Sequence, residues 1–72
     1  MGKEDLRVRF GQRVRALRKR KGLSQLDIVR RVELDLSHYQ KIERGDLDVR
    51  LTTADKIAGV LGVTLSTLMR GL

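Results

Sequence analysis

Cysteine, proline and tryptophan are all missing from this 72-residue chain, and it has one histidine, one tyrosine and one phenylalanine. Without cysteine there is no disulfide, no thiolate metal site and no thiol catalysis. A lone histidine, His38, cannot build a metal cluster, so neither metal nor other cofactor is expected. Lack of proline and scarcity of aromatics favour an all-helical chain. No apolar run approaches the roughly 18 residues of a membrane span. Residues 1–10 carry charge throughout, so they do not read as a secretory signal, and a cytoplasmic location is expected. The length suits one small domain over residues 1–72, which would bury about 60% of its unfolded surface. An enzyme is the poorest reading, since no nucleophile–base pair, metal cluster or phosphate loop is evident.

What the chain has in excess is positive charge. Sixteen Lys and Arg stand against nine Asp and Glu, a net +7. Residues 1–21 hold nine basic and two acidic residues (9 − 2 = +7), whereas residues 22–72 hold seven of each (7 − 7 = 0). The whole excess therefore lies on the N-terminal segment. A localised basic patch on a small domain points to a polyanion, with nucleic acid ahead of an acidic membrane surface.

The chain reads as five short helices punctuated by glycine, except between the second and third. Leu6, Phe10, Val14 and Leu17 recur at helical spacing and predict a first helix over about residues 4–21, its basic end followed by Gly22. Gly11 within it implies close approach by another helix. Ser24-Gln25-Leu26-Asp27 has the form of a capping box and starts a second helix that reaches Val32. After Glu33-Leu34-Asp35, with Asp35 as N-cap, a third helix spans about 36–44 with Tyr39 and Ile42 facing inward, ending at Gly45. Residues 46–50 read as a loop. Leu51, Ala54, Ile57, Ala58 and Leu61 mark the inward stripe of a fourth helix, closed by Gly62, and Thr64 caps a fifth carrying Leu65, Leu68 and Met69.

Two helices joined by a three-residue turn form a helix-turn-helix, here over about 25–44. Helices crossing steeply touch through few side chains, so those few must be apolar. Counting Gln25 as the first position of a twenty-residue unit, positions 4, 8, 10, 15 and 18 are Ile28, Val32, Leu34, Tyr39 and Ile42, all apolar.

The runs Gly11-Gln12-Arg13-Val14-Arg15-Ala16-Leu17-Arg18, Gly22-Leu23-Ser24-Gln25, Ile42-Glu43-Arg44-Gly45, Ile57-Ala58 and Leu61-Gly62-Val63 resemble the phage-repressor/Cro-type (XRE-like) helix-turn-helix regulators. Within them, the turn and the short length look most like restriction–modification controller proteins. The resemblance implies a compact five-helix, lambda-repressor-like domain, a homodimer on a symmetric operator, and a third helix inserted in the major groove of double-stranded DNA. It implies that Gln25 meets phosphate or a base edge, and that Leu36, Ser37, His38, Gln40 and Lys41 lie on the outward face of the third helix. Arg44, Ser24, Arg20 and Lys21 are further candidate DNA contacts. Gln40 has the chemistry to pair with adenine, although relatives often turn this position partly away from the groove. Tyr39 suits the core better than base stacking, and Arg13 and Arg15 suit solubility better than DNA contact. Arg18 and Glu43 fall where the family has a partly buried ion pair. Leu47, Val49, Val60, Leu65, Met69 and Leu72 exceed what so small a core evidently needs and fall where relatives place their dimer interface.

Five departures stand out: Val29 for the family's alanine, Glu33 for its turn glycine, Asp46 and Asp48 in a loop usually basic, Arg50 where a Ser or Thr cap is customary, and Leu36 where many relatives carry a polar base-reader. The function implied is sequence-specific transcriptional regulation, with no small-molecule ligand. The competing reading is a protein-interaction module of the same fold, such as a toxin-neutralising antitoxin.

Overall fold

A computed structural model describes residues 5–72, so Glu4, where periodicity predicts the first helix to begin, lies outside the described residues. Among the described residues the chain is all-helical, with five helices: α1 (Leu6–Arg20), α2 (Gln25–Val32), α3 (Leu36–Arg44), α4 (Leu51–Val60) and α5 (Leu65–Leu68). Asp5 caps α1 by accepting the Arg7 N–H at 2.8 Å. Ser24 and Asp27 complete the capping box of α2: the Asp27 N–H donates to Ser24 Oγ at 3.0 Å and the Ser24 N–H to Asp27 Oδ2 at 2.7 Å. Thr64 caps α5 through the Thr67 N–H. Asp35 differs from expectation. It holds the extended backbone of an N-cap, but its side chain makes no capping hydrogen bond, so α3 starts without that support.

The core lies between α1, α3 and the α2–α4 pair. Val14, Ile28, Tyr39, Ile42, Ile57, Leu61 and Leu68 are fully buried. Each such aliphatic or aromatic side chain contributes about 1.5–3 kcal/mol by leaving water. Of the five apolar positions of the helix-turn-helix, Ile28, Val32, Tyr39 and Ile42 are buried, while Leu34 is half-buried and packs against them. The ends of the apolar stripes behave otherwise. Leu6 is 49% and Leu51 71% exposed, each as the first residue of its helix.

Two backbone positions set the crossing geometry. A Cβ at Gly11 would lie 2.5 Å from the Ile42 carbonyl oxygen and 2.8 Å from the Glu43 carbonyl carbon, so only glycine lets α1 sit directly on the end of α3. Glu33 closes α2 in the left-handed region at φ 59°, ψ 45°, the sole non-glycine with positive φ among the described residues. Its conformation is what the turn demands; the side chain is what makes it costly, by about 1 kcal/mol.

Glu33→Gly should therefore raise the melting temperature by about 4–8 °C, as 1 kcal/mol does for a domain of this size. Gly11→Ala should lower stability by about 1–3 kcal/mol through overpacking. Thermal unfolding followed by circular dichroism reads both, and an unchanged or lower Tm for Glu33→Gly would refute the strain.

Candidate nucleic-acid interface

The third helix is held from one side only. Tyr39, Ile42 and Glu43 are buried, whereas Leu36, Ser37, His38, Lys41 and Arg44 are exposed, so α3 presents a continuous outer face to solvent. Gln40 is half-buried at the edge of that face.

Beneath it lies a polar cluster built around the Glu43 carboxylate. Arg18 donates Nε to Glu43 Oε2 at 2.7 Å and Nη2 to Oε1 at 3.1 Å, a two-pronged pair with side chains only 10% and 5% exposed. The remaining Arg18 nitrogen, Nη1, donates to the Leu23 carbonyl at 3.0 Å. The Tyr39 hydroxyl donates to Glu43 Oε2 and Gln25 Nε2 to Oε1, the latter at 3.1 Å. Gln40 Nε2 donates in turn to Gln25 Oε1 at 3.1 Å.

These contacts fix the charge states. Burial pushes the Glu43 carboxyl up, but hydrogen bonds from Arg18, Tyr39 and Gln25, together with the Arg18 charge, outweigh it and hold the group below its ordinary value. The hydrogen bond to Glu43 raises Arg18 above its own ordinary value despite burial. Desolvation, then the neighbouring carboxylate, drive the Tyr39 hydroxyl far upward, so it stays protonated as a donor.

Above the cluster opens a polar cleft of about 280 Å³, lined by Arg15, Arg18, Gln25, Gln40, Glu43 and Arg44. Ser24, Arg20 and Lys21 are exposed near the start of α2. Arg44 is partly engaged, donating Nε to Asp46 at 2.9 Å. Other α1 arginines face elsewhere: Arg9 Nη1 donates to the Leu72 carbonyl at 2.6 Å, and Arg13 donates to the Thr67 and Leu68 carbonyls at 2.9 and 3.3 Å. These bonds tie α5 and the segment after it to α1.

The six residues named above as an interface, Leu47, Val49, Val60, Leu65, Met69 and Leu72, are half-buried and pack against the core, so the core uses more of them than their number suggests. Val49 and Met69 also line an apolar groove of about 280 Å³ with Leu6, Phe10, Leu51 and Ala54. Sequence reasoning misses the exposure of Leu6 and Leu51 because periodicity counts them with the inward stripe. It misses the Gln25–Gln40 contact because that joins residues fifteen apart on different helices. Among the described residues no group of three or more His, Asp or Glu side chains is placed to hold a metal ion, and no helix is long and apolar enough to cross a membrane.

The helix-turn-helix family model matches residues 14–68 of the chain. A control protein of a Mycoplasma species, C.MunI, is 42% identical over 65 residues, spanning 89% of this chain and 88% of that protein. The immunity repressor protein of Bacillus phage phi105 is 34% identical over 59 residues, 82% of this chain but only 41% of the repressor. Among solved structures, the restriction-modification controller protein C.AhdI from Aeromonas hydrophila superposes with a TM-score of 0.81 at 41% identity, covering 85% of this chain and 92% of that one.

Replacing Glu43 by Gln keeps its volume but strands the Arg18 charge, and should cost about 3–5 kcal/mol. Because the folded carboxyl binds its proton less readily than the unfolded one, its stabilisation is complete above the ordinary glutamate value of about 4.3. It is lost as pH falls through the lower folded value. Wild-type stability should therefore fall more steeply below about pH 4 than that of Glu43→Gln, as read by urea unfolding across pH; parallel profiles would contradict the assignment.

Proposed function

Because the chain belongs to the helix-turn-helix family of DNA-binding transcription regulators, we propose that it is a regulator of the restriction–modification controller type, binding a symmetric operator as a homodimer. The observation that carries this reading is the one-sided burial of α3, which leaves Leu36, Ser37, His38 and Lys41 on an outer face. That face enters the major groove, where a helix fits and base edges carry a distinct donor and acceptor pattern. Leu36 suits a thymine methyl, while Ser37, His38 and Lys41 offer hydrogen-bonding groups. Ser24 and Gln25, at the N-terminal end of α2, approach phosphate, with Arg20, Lys21 and Arg44 supplying positive charge. Two half-sites then lie about 34–36 Å apart, one turn of duplex, matched by the two-fold axis of the dimer.

The second copy is assigned to the apolar groove and its surroundings. Leu51 and Leu6 leave apolar surface in water at the groove rim, contiguous with Val49 and Met69. Arg7, paired with Asp5 at 3.1 Å and near Asp48 at 3.8 Å, provides charges of both signs at the edge, which a two-fold axis can match to each other.

Selection of bound fragments from random DNA should return a palindrome. Affinity for it should fall with salt with a log–log slope of about −0.9 per phosphate neutralised. His38→Ala with Lys41→Ala should weaken binding to that site by about 1–3 kcal/mol for each base-reading side chain removed. Failure to enrich any sequence would defeat the regulator reading. Leu51→Glu should weaken self-association by about tenfold or more, the equivalent of about 1.4 kcal/mol, with the helical content kept. Sedimentation equilibrium checks it, and a wild-type chain that stays monomeric at high concentration would remove the dimer.

A further inference from the structure

The third helix takes part in two arginine–carboxylate pairs of opposite character. Glu43 and Arg18 are sealed from water, so ions in solution do not compete for either. Arg44, the last residue of α3, donates Nε to Asp46 Oδ2 at 2.9 Å, with side chains 61% and 53% exposed. A pair this open to water is worth at most about fivefold in an equilibrium constant, and salt weakens it. An incoming anion is therefore able to take the place of the carboxylate.

The backbone fixes where that carboxylate stands. Gly45 ends α3 in the left-handed region at φ 77°, and the Asp46 N–H donates back to the Lys41 carbonyl at 2.9 Å. A Cβ at Gly45 would lie 2.6 Å from Val8 Cα, so this reversal is held against α1. Electrostatics opposes an acid at such a place twice over. The C-terminal end of a helix is its negative pole, where cations are favoured and anions are not. Arg44 also lines the polar cleft together with Gln25 and Gln40, at the edge of the face that the reading above gives to DNA, and a carboxylate there repels phosphate. A residue that breaks a local rule for so little stability marks a functional position.

Resting on the DNA-binding reading above, we infer that Asp46 is an intramolecular stand-in for DNA phosphate: its carboxylate holds Arg44 in the free protein and has to be displaced before that guanidinium pairs with the duplex. Carboxylate and phosphate both accept charge-assisted hydrogen bonds from a guanidinium, so they are alternative partners for one group. Exchange replaces one such bond by another, and Arg44 adds less to affinity than an unpaired arginine would. Phosphates carry no sequence information. The device therefore lowers attraction to duplex of any sequence and leaves base choice to the outer face of α3.

The test uses the full chain as wild type, Asp46→Asn, Arg44→Gln and the double variant. Asp55→Asn, which removes the same charge from an exposed position on α4, controls for net charge. Asp46→Ser stands in reserve should Asp46→Asn lose helical content. Fluorescence anisotropy across salt measures binding to the fragment selected from random DNA and to a scrambled duplex of equal length. Asp46→Asn should tighten binding to both by about 3- to 5-fold, the upper range for an exposed ion pair. Its log–log salt slope should steepen by up to about 0.9, the equivalent of one further phosphate neutralised. Asp55→Asn, and Asp46→Asn in the Arg44→Gln background, should each change affinity by less than about 1.5-fold, since neither alters a pair with Arg44. Equal gains in Asp46→Asn and Asp55→Asn overturn the inference in favour of bulk charge. A full gain in the absence of Arg44 overturns it in favour of direct repulsion. Unchanged or weaker binding by Asp46→Asn overturns it outright, while a wild type that still prefers the selected fragment keeps the regulator reading. Wild type that binds neither duplex at low salt overturns the regulator reading and this inference together.

Discussion

A carboxylate taken out of water costs several kcal/mol unless donors replace its hydration. In this protein Glu43 receives four: two from Arg18, one from Tyr39 and one from Gln25. Those donors come from α1, from α3 itself and from the first residue of α2, so a single charged group fastens three helices at one point. Replacing such a cluster with hydrocarbon often does not weaken a fold. What hydrocarbon does not supply is direction. Apolar packing tolerates a rotation of α3 about its axis far better than a two-pronged guanidinium–carboxylate pair does. Rotation is the degree of freedom that decides which side chains face outward.

The close approach at Gly11 acts on the same helix from another side. With no Cβ between them, α1 rests on the Ile42 and Glu43 carbonyls, which brings Arg18, two turns further along, within reach of the carboxylate. Steric fit and charge pairing therefore fix one crossing angle together, consistent with a scaffold that holds a reading helix in register.

Much of this is legible in the sequence, and for identifiable reasons. The capping box at Ser24 and Asp27 and the five apolar positions of the helix-turn-helix depend on residues close in the chain, where spacing translates directly into geometry. Gly11 announces a tight crossing because glycine in a helix interior is otherwise unfavourable. Glu33 stands out as a departure, and it holds the left-handed backbone that a glycine at that position would adopt without strain. The failures share a cause. Periodicity gives the direction of a side chain but not whether a neighbour exists to cover it, which is why it counts Leu6 and Leu51 inward. Asp35 has the right type for a cap, yet capping depends on a rotamer that sequence does not contain. The amide chain from Glu43 to Gln40 is a tertiary arrangement with no local pattern at all.

Formal charge, finally, is a poor guide to what a polyanion would feel on approach. Arg9 and Arg13 give their guanidinium groups to carbonyls of the last helical turn and the segment beyond it, and Arg18 is neutralised from within. Such cations contribute to the far field of the molecule but offer little at close range. The near field belongs to exposed side chains such as Arg15, Arg20, Lys21 and Lys41. A count of ions displaced on complex formation would accordingly be smaller than the sixteen basic residues imply, and it would report the working portion of the electrostatic surface.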